Sequence, residues 1–189
     1  MVAAMANGDA PGTITPNAAR RALRRQYLAA LSMLRDALRR CPDELWDDPR
    51  PTVSCRELAC DAAFLTRYHL FHSQAAFRPW PGFDGDAPLG VDDSRRHTQG
   101  AAPESTGTSR AEVVAYVEHV IASLDASLAA IDLAASESGF HGYRMSKLEH
   151  QLLTLRHLQH HTAQLVDRVR AATGDTAPWI VSDRSDEVN

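Results

Sequence analysis

The residues best suited to chemistry are histidines near the C-terminal end of the chain. His157 and His161 are four residues apart, so on a helix they lie one turn apart on the same face. Two imidazole nitrogens at this spacing can reach one metal ion at about 2.0–2.1 Å. With about 100° of rotation per residue, His161 borders the apolar stripe of the helix and His157 lies slightly further round. The spacing indicates a metal site, although paired histidines at the edge of a core, bonded to neighbours or water, share it.

A metal site here needs a third ligand from another helix. Asp61 lies in an apolar run, residues 58–64. A carboxylate there must be solvated, paired or bound to a cation, because an isolated buried charge is costly. A salt bridge to an arginine would also explain Asp61. His69 and His72 follow two to three turns later and are alternative ligands.

Four amphipathic segments are predicted to form the helices that position these residues. The apolar spacings of three and four predict helices over residues 17–41, 55–77 and 146–173, and another from 109 that fades at 136–139. Three of them begin with the spacing of a capping box: Ser54 with Glu57, Ser109 with Glu112, and Ser146 with Glu149. The inner side of the last helix is predicted to carry Leu148, Leu152, Leu155, Leu158, Leu165, Val166 and Val169. Seven arginines on the first helix are interpreted as a solvated face.

These elements predict an all-α fold, an antiparallel four-helix bundle. We expect a flexible N-terminal tail over residues 1–16, one domain over 17–182 and a C-terminal tail over 183–189. Residues 78–108 form a long loop, which is either mobile or functional. The single hint of a strand is the short run 179–181.

Composition narrows the function classes. The chain of 189 residues has a formal net charge of −4 and no basic block, so nucleic-acid binding has no electrostatic support. The N-terminus lacks the charged start and apolar run of a signal peptide, and no stretch approaches the roughly 18–20 apolar residues of a membrane span. Three cysteines without CxxC spacing, Cys41, Cys55 and Cys60, are typical of a reduced, cytoplasmic protein.

The run from Arg156 through His157, His160, His161 and Gln164 to Leu165 resembles the fourth-helix signature of the DinB-like family, which includes YfiT-type metal-dependent hydrolases. Ala163 stands where glycine is common. Residues 54–64 resemble the start of the second helix of the family, and 177–180 its C-terminal tail. The resemblance covers roughly residues 20–182.

The resemblance implies a four-helix bundle, often dimeric, that binds a divalent ion such as nickel or zinc. Family members hold the ion between a histidine of the second helix and two histidines of the fourth. By position these ligands are Asp61, His157 and His161, with Asp61 replacing the family histidine. Two imidazoles and a carboxylate are competent for zinc, nickel, iron or manganese. Alternatively, the replacement has destroyed the site.

The first functional hypothesis is a metal-dependent hydrolase or thiol-dependent transferase. The ion would activate water or a thiol, and the substrate would be a small molecule, for example a low-molecular-weight thiol. Gln164 and His160 would orient the ligands, and His150 would carry protons. The alternative is a non-catalytic, dimeric helical binding scaffold with a degenerate metal site.

Overall fold

The computed structural model describes residues 15–48, 50–83 and 107–182, and these residues form helices without any strand. The helices are α1 (Pro16–Arg40), α2 (Asp43–Trp46), α3 (Cys55–His69), α4 (Arg110–Ala130) and α5 (Lys147–Thr173), with a 3-10 turn over Gln74–Ala76. The expected all-α class is confirmed for these ranges. The predicted C-terminal tail, most of the loop predicted over 78–108 and residues 1–14 of the predicted N-terminal tail lie outside them. Thr15 and Pro16, also assigned to that tail, instead cap and begin α1.

The four longer helices pack around a shared apolar core. Helix α5 contacts both α1 and α3, and α4 contacts the same two helices. The core contains large side chains that are completely buried, among them Tyr27, Leu31, Tyr116, Leu124 and Leu158. Because α3 lies between α4 and α5, nearly all of its side chains are buried.

The helix starts follow local signals in the sequence. Ser54 and Ser109 each accept a bond from the backbone N–H three residues on, and Glu57 and Glu112 return the bond. These two capping boxes are confirmed. At α5 the hydroxyl of Ser146 accepts from the N–H of Glu149, which is half of the predicted third box. Each bond satisfies a backbone group that the first helical turn leaves unpaired.

The second predicted helix is eight residues too long. Helix α3 ends at His69 rather than at residue 77. The N–H of Gln74 instead donates to the carbonyl of Gly139, and the Arg67 guanidinium donates to the carbonyl of Arg78. These long-range bonds hold the chain after His69 in a turn, although the local apolar periodicity favours continued helix.

The arginines of α1 are not simply a solvated face. Arg20 donates to the carbonyls of Leu128 and Ile131 at the end of α4. Arg24 forms an ion pair with Asp125, and Arg39 with Glu118. The interpretation of these arginines as solvated was therefore wrong for the half-buried Arg20 and Arg24, whereas Arg39 is exposed as expected.

The inner face of α5 also differs from the prediction. Leu158, Leu165 and Val169 are buried, but Leu152 is 54% exposed. Leu152 and Leu158 are about 120° apart around a helix, so the prediction merged two faces into one. The rest of the buried face is mainly polar: Lys147, His150, Gln151, Thr154 and Thr162.

Helix α4 is long and apolar enough, by length and composition alone, to cross a membrane, which the sequence analysis did not expect. It is the one such helix in the described ranges. Core helices of soluble proteins meet the same criterion, and α4 supplies six buried side chains here: Val113, Tyr116, Val117, Val120, Leu124 and Leu128. Because 33% of the apolar window is buried, the core accounts for part of this apolar composition.

Candidate metal centre

The predicted ligands meet where α3 packs against α5. Asp61 is the one residue between 58 and 70 that is not buried, so its carboxylate lies at the edge of an otherwise covered helix. His157 and His161 face it from α5, one turn apart. Their side chains are only 10% and 18% exposed, and that of Asp61 is 19% exposed. The three side chains thus form a recess that is mostly shielded but still open to solvent.

The three ligand atoms form a nearly equilateral triangle. The Nε2 atoms of His157 and His161 each lie 3.1 Å from the same carboxylate oxygen, Oδ2 of Asp61. The two Nε2 atoms are 3.0 Å from each other. One side chain from α3 and two from α5 therefore converge on a single point, and they constitute a possible metal-binding group.

These separations are compatible with one small divalent ion. Bonds of about 2.0–2.1 Å place neighbouring ligand atoms about 3.3 Å apart at tetrahedral angles and about 2.9 Å apart at octahedral angles. The observed 3.0–3.1 Å lies between these two values. The triangle can accommodate an ion by adjustments of a few tenths of an ångström, and its open side leaves positions for other ligands.

Gln164 determines which nitrogen of His161 faces the triangle. Its Oε1 lies 2.9 Å from Nδ1 of His161. A carboxamide oxygen only accepts, so Nδ1 carries the hydrogen. In the neutral imidazole, Nε2 then directs a lone pair at the lone pairs of Asp61 Oδ2. That arrangement is repulsive unless a cation, either a proton or a metal ion, lies between them, and the donor set therefore fits a cation.

The electrostatics of the triad are strongly coupled. Burial alone would raise the pKa of Asp61, but the hydrogen bonds and charges of His157 and His161 hold it well below its usual range. Burial alone would lower the pKa of His161, but the hydrogen bond and charge of Asp61 outweigh burial and raise it. Without a metal ion, a proton on His161 and a charge on Asp61 stabilise each other.

The other predicted residues divide into two groups. Gln164 and His160 lie at the triad, where the His160 ring packs edge-on against His161 at 5.1 Å between centroids. Partial desolvation and the charges of the neighbouring histidines lower the pKa of His160. His150 belongs to a different cluster: it is completely buried, and its ring centroid is 4.3 Å from that of His69.

The alternative ligands are not brought to the triad. His69 is 1% exposed, and its Nδ1 lies 3.0 Å from the hydroxyl of Thr154. His72 is exposed in the turn after α3. Asp61, which the sequence analysis placed at the family's histidine position, is therefore the α3 residue that reaches both imidazoles.

Sequence reasoning missed a buried polar network beside the site. Tyr27 donates to Gln151 at 3.0 Å, and Nε2 of Gln151 donates to the carbonyl of His69 at 2.9 Å. The hydroxyl of Thr154 donates to the carbonyl of His150 at 2.8 Å. The signal was present, because Gln151 and Thr154 follow helical spacing with Leu158, but neither side chain is apolar.

No protein-family profile, curated protein or solved structure matches this chain. The site is therefore characterised by its own geometry: two imidazoles and one carboxylate that α3 and α5 bring together.

Proposed function

We propose that the chain is a divalent-metal-dependent hydrolase or thiol-dependent transferase with an antiparallel four-helix bundle of the DinB-like type. The observation that carries this proposal is the convergence of Asp61 Oδ2 and two histidine Nε2 atoms within 3.1 Å of one another. Asp61, His157 and His161 would hold the ion, which is zinc, nickel, iron or manganese.

The ion would supply Lewis acidity, which lowers the pKa of a water molecule or a thiol substrate toward neutrality. The residues of the chain position this chemistry. Asp61 would compensate part of the positive charge of the ion. Gln164 fixes the orientation of the His161 ring by accepting a hydrogen bond from its Nδ1. His160, exposed beside His161, is neutral at pH 7 because its pKa is lowered, so its ring is free to act as a weak base.

The alternative is a non-catalytic scaffold in which the triad is an ion-paired cluster. The raised pKa of His161 and the lowered pKa of Asp61 favour this candidate, because a proton then satisfies the same lone pairs. The two candidates differ in whether a metal ion or a proton occupies the triangle at neutral pH.

The metal content of the purified protein distinguishes the metal-dependent enzyme from the non-catalytic scaffold. The full chain, purified without a histidine tag, is expected to contain about one divalent ion per chain by elemental analysis, because three ligand atoms are preorganised. His157→Ala and His161→Ala should lose this ion. His141→Ala, which removes an exposed histidine outside the triad, is the matched control and should keep it.

Gln164→Ala tests the orientation of His161. We expect zinc to bind this variant roughly 10–100-fold more weakly, since outer hydrogen bonds contribute about that factor to metal affinity. A wild-type chain that binds no zinc, nickel, iron or manganese would establish the scaffold instead.

The remaining assignments are also proposals. We infer a homodimer in the cytoplasm and a small-molecule substrate such as a low-molecular-weight thiol, with neither nucleic acid nor membrane as a partner. The acidic net charge of −4 supports the absence of a nucleic-acid partner. The three described cysteines are free, which supports the compartment. Light scattering coupled to gel filtration measures the oligomeric state.

A further inference from the structure

An arginine lies on the same side of α5 as the two histidines of the triad. Arg168 follows His161 by seven residues in α5. Seven residues are close to two full turns, so the two side chains leave the helix on one face, about 10 Å apart along its axis. Gln164, which bonds to His161, lies between them. His157, His161, Gln164 and Arg168 therefore form one polar stripe along α5.

Helix α3 gives the same separation between the arginine and the triad. Nη1 of Arg168 donates to the carbonyl of Val53 at 2.5 Å, which fixes where the guanidinium lies. Val53 directly precedes Ser54, the N-cap of α3, and Asp61 follows Ser54 by seven residues. The distance along α3 from this cap to Asp61 is therefore also about 10 Å. Since α3 packs against α5, both helices place the guanidinium at one end of their contact and the triad further along it.

The positive charge of Arg168 has no carboxylate partner in the described part of the chain. Its bond to a backbone carbonyl engages a neutral group and leaves other N–H groups of the guanidinium available. Two carboxylates of the same region are already engaged. Asp48 accepts from Arg50 at 2.6 Å, and Glu57 accepts from the backbone N–H of the N-cap serine of α3 at 2.6 Å. The half-buried guanidinium is therefore able to bind an anion.

We propose that the substrate of the metal centre carries a carboxylate that binds Arg168, so that this arginine selects acidic small molecules over neutral ones. The inference rests on the proposed function, because the reacting end of the substrate then lies at the triad. A single guanidinium matches the single charge and the planar shape of one carboxylate.

The spacing also limits the size of the substrate. A separation of about 10 Å equals roughly three residues of extended chain, so the carboxylate and the reacting atom lie about as far apart as the ends of an extended tripeptide. The side chains between them on these helix faces, Gln164 of α5 and Leu58 of α3, are uncharged. The part of the substrate between its two ends is therefore expected to be neutral.

Thiol acids of different length test the inference on the metal-loaded wild-type chain. Mercaptooctanoate carries its thiol and its carboxylate at opposite ends, and its carboxamide is the neutral counterpart. By titration calorimetry we expect the acid to bind roughly 10–100-fold more tightly than the amide, because a hydrogen bond to a charged group is gained. Mercaptobutanoate is too short to reach from the triad to Arg168, so its acid and amide should differ much less.

Two substitutions on α5 separate Arg168 from the general effect of a positive charge. Arg168→Gln should bind mercaptooctanoate and its amide about equally, and Arg168→Lys should keep part of the preference, because it keeps the charge. Arg156→Gln is the matched control, since it removes an exposed arginine about 120° around the helix, and it should keep the full preference. An arginine that only supports the fold would lower Tm when replaced but would leave the ratio of the two affinities unchanged.

The outcomes distinguish failure of this inference from failure of the proposed function. A wild-type chain that binds none of zinc, nickel, iron and manganese overturns both. A chain that binds a metal ion and both probes, but binds mercaptooctanoate and its amide equally, overturns the role of Arg168 alone. That comparison uses the wild type, so it decides the matter even if Arg168→Gln does not fold. Equal loss of the preference in Arg156→Gln would likewise overturn the assignment to Arg168.

Discussion

At the residue scale, the negative charge of Asp61 determines which cation the triad requires. Its Oδ2 lies 3.1 Å from the Nε2 atoms of both imidazoles, and its position in an otherwise buried stretch of α3 gives it little solvent to compensate. A carboxylate in such surroundings needs a cation. In a metal-free chain that cation is the proton on His161, and this makes stability depend on pH.

The sign of that dependence follows from the two pKa shifts. The lowered pKa of Asp61 adds stability that is present above about pH 4 and is lost as the pH falls toward the pKa of the folded state. The raised pKa of His161 adds stability that is present below about pH 6.5 and is lost as the pH rises through the pKa of the folded state. The triad is therefore most stabilising between these limits.

We predict that the chelator-treated wild type loses Tm as the pH rises above about 6.5 and through the raised pKa of His161, where the imidazole releases its proton. Asp61→Asn should show a flatter profile, since the amide cannot stabilise the protonated imidazole. Thermal unfolding by circular dichroism across pH 4.5–8.5 measures both profiles. Parallel profiles for the two proteins between pH 6 and pH 8 would refute the coupling of Asp61 to His161.

At the element scale, α5 has two apolar sides with different roles. Leu158 and Leu165 are completely buried, whereas Leu152 is 54% exposed. The side that faces the core also carries Gln151 and Thr154, whose polar atoms bond to the backbone and to Tyr27. Buried polar groups with partners cost little, so a partly polar face can pack inside.

Two alanine substitutions distinguish the buried apolar side of α5 from its exposed apolar side. Leu158→Ala should lower the free energy of unfolding by about 2–5 kcal/mol, because it leaves a cavity in the core. Leu152→Ala should change it by about 0.5 kcal/mol or less, as expected for an exposed position. Urea unfolding measures both. Similar losses for the two variants would mean that Leu152 packs in the core, as the periodicity alone suggested.

At the scale of the whole molecule, the proposed metal site and the packing of α3 on α5 depend on each other. The ligands come from both helices, so the triangle exists only while the helices are packed together. An ion that binds the folded chain and not the unfolded chain must stabilise the fold. Metal binding and global stability should therefore be linked.

We predict that zinc at about 100 times its Kd stabilises the wild type by about 2.7 kcal/mol, which raises Tm by roughly 5–10 °C. His161→Ala should show no comparable shift, and His141→Ala should match the wild type. Differential scanning calorimetry with and without chelator provides the measurement. An equal zinc effect on His161→Ala would place the bound ion outside the triad.

The sequence by itself determined the helical class, most helix boundaries and the pairing of His157 with His161. These features are local or nearly so: capping hydroxyls at Ser54 and Ser109 act within four residues, and the spacing of His157 and His161 places them on one face. Apolar periodicity and capping need no knowledge of distant segments.

Only the tertiary structure decided where α3 ends, which side of α5 is buried and that Asp61 rather than His69 joins the two imidazoles. Each depends on groups far apart in the chain. The carbonyl of Gly139 accepts from the N–H of Gln74 in the turn that follows α3. The hydroxyl of Thr154 on α5 bonds to Nδ1 of His69, which is not part of the triad. Burial of a polar side chain is favourable only when the side chain has a hydrogen-bond partner. The spacing of residues along one helix does not specify that partner.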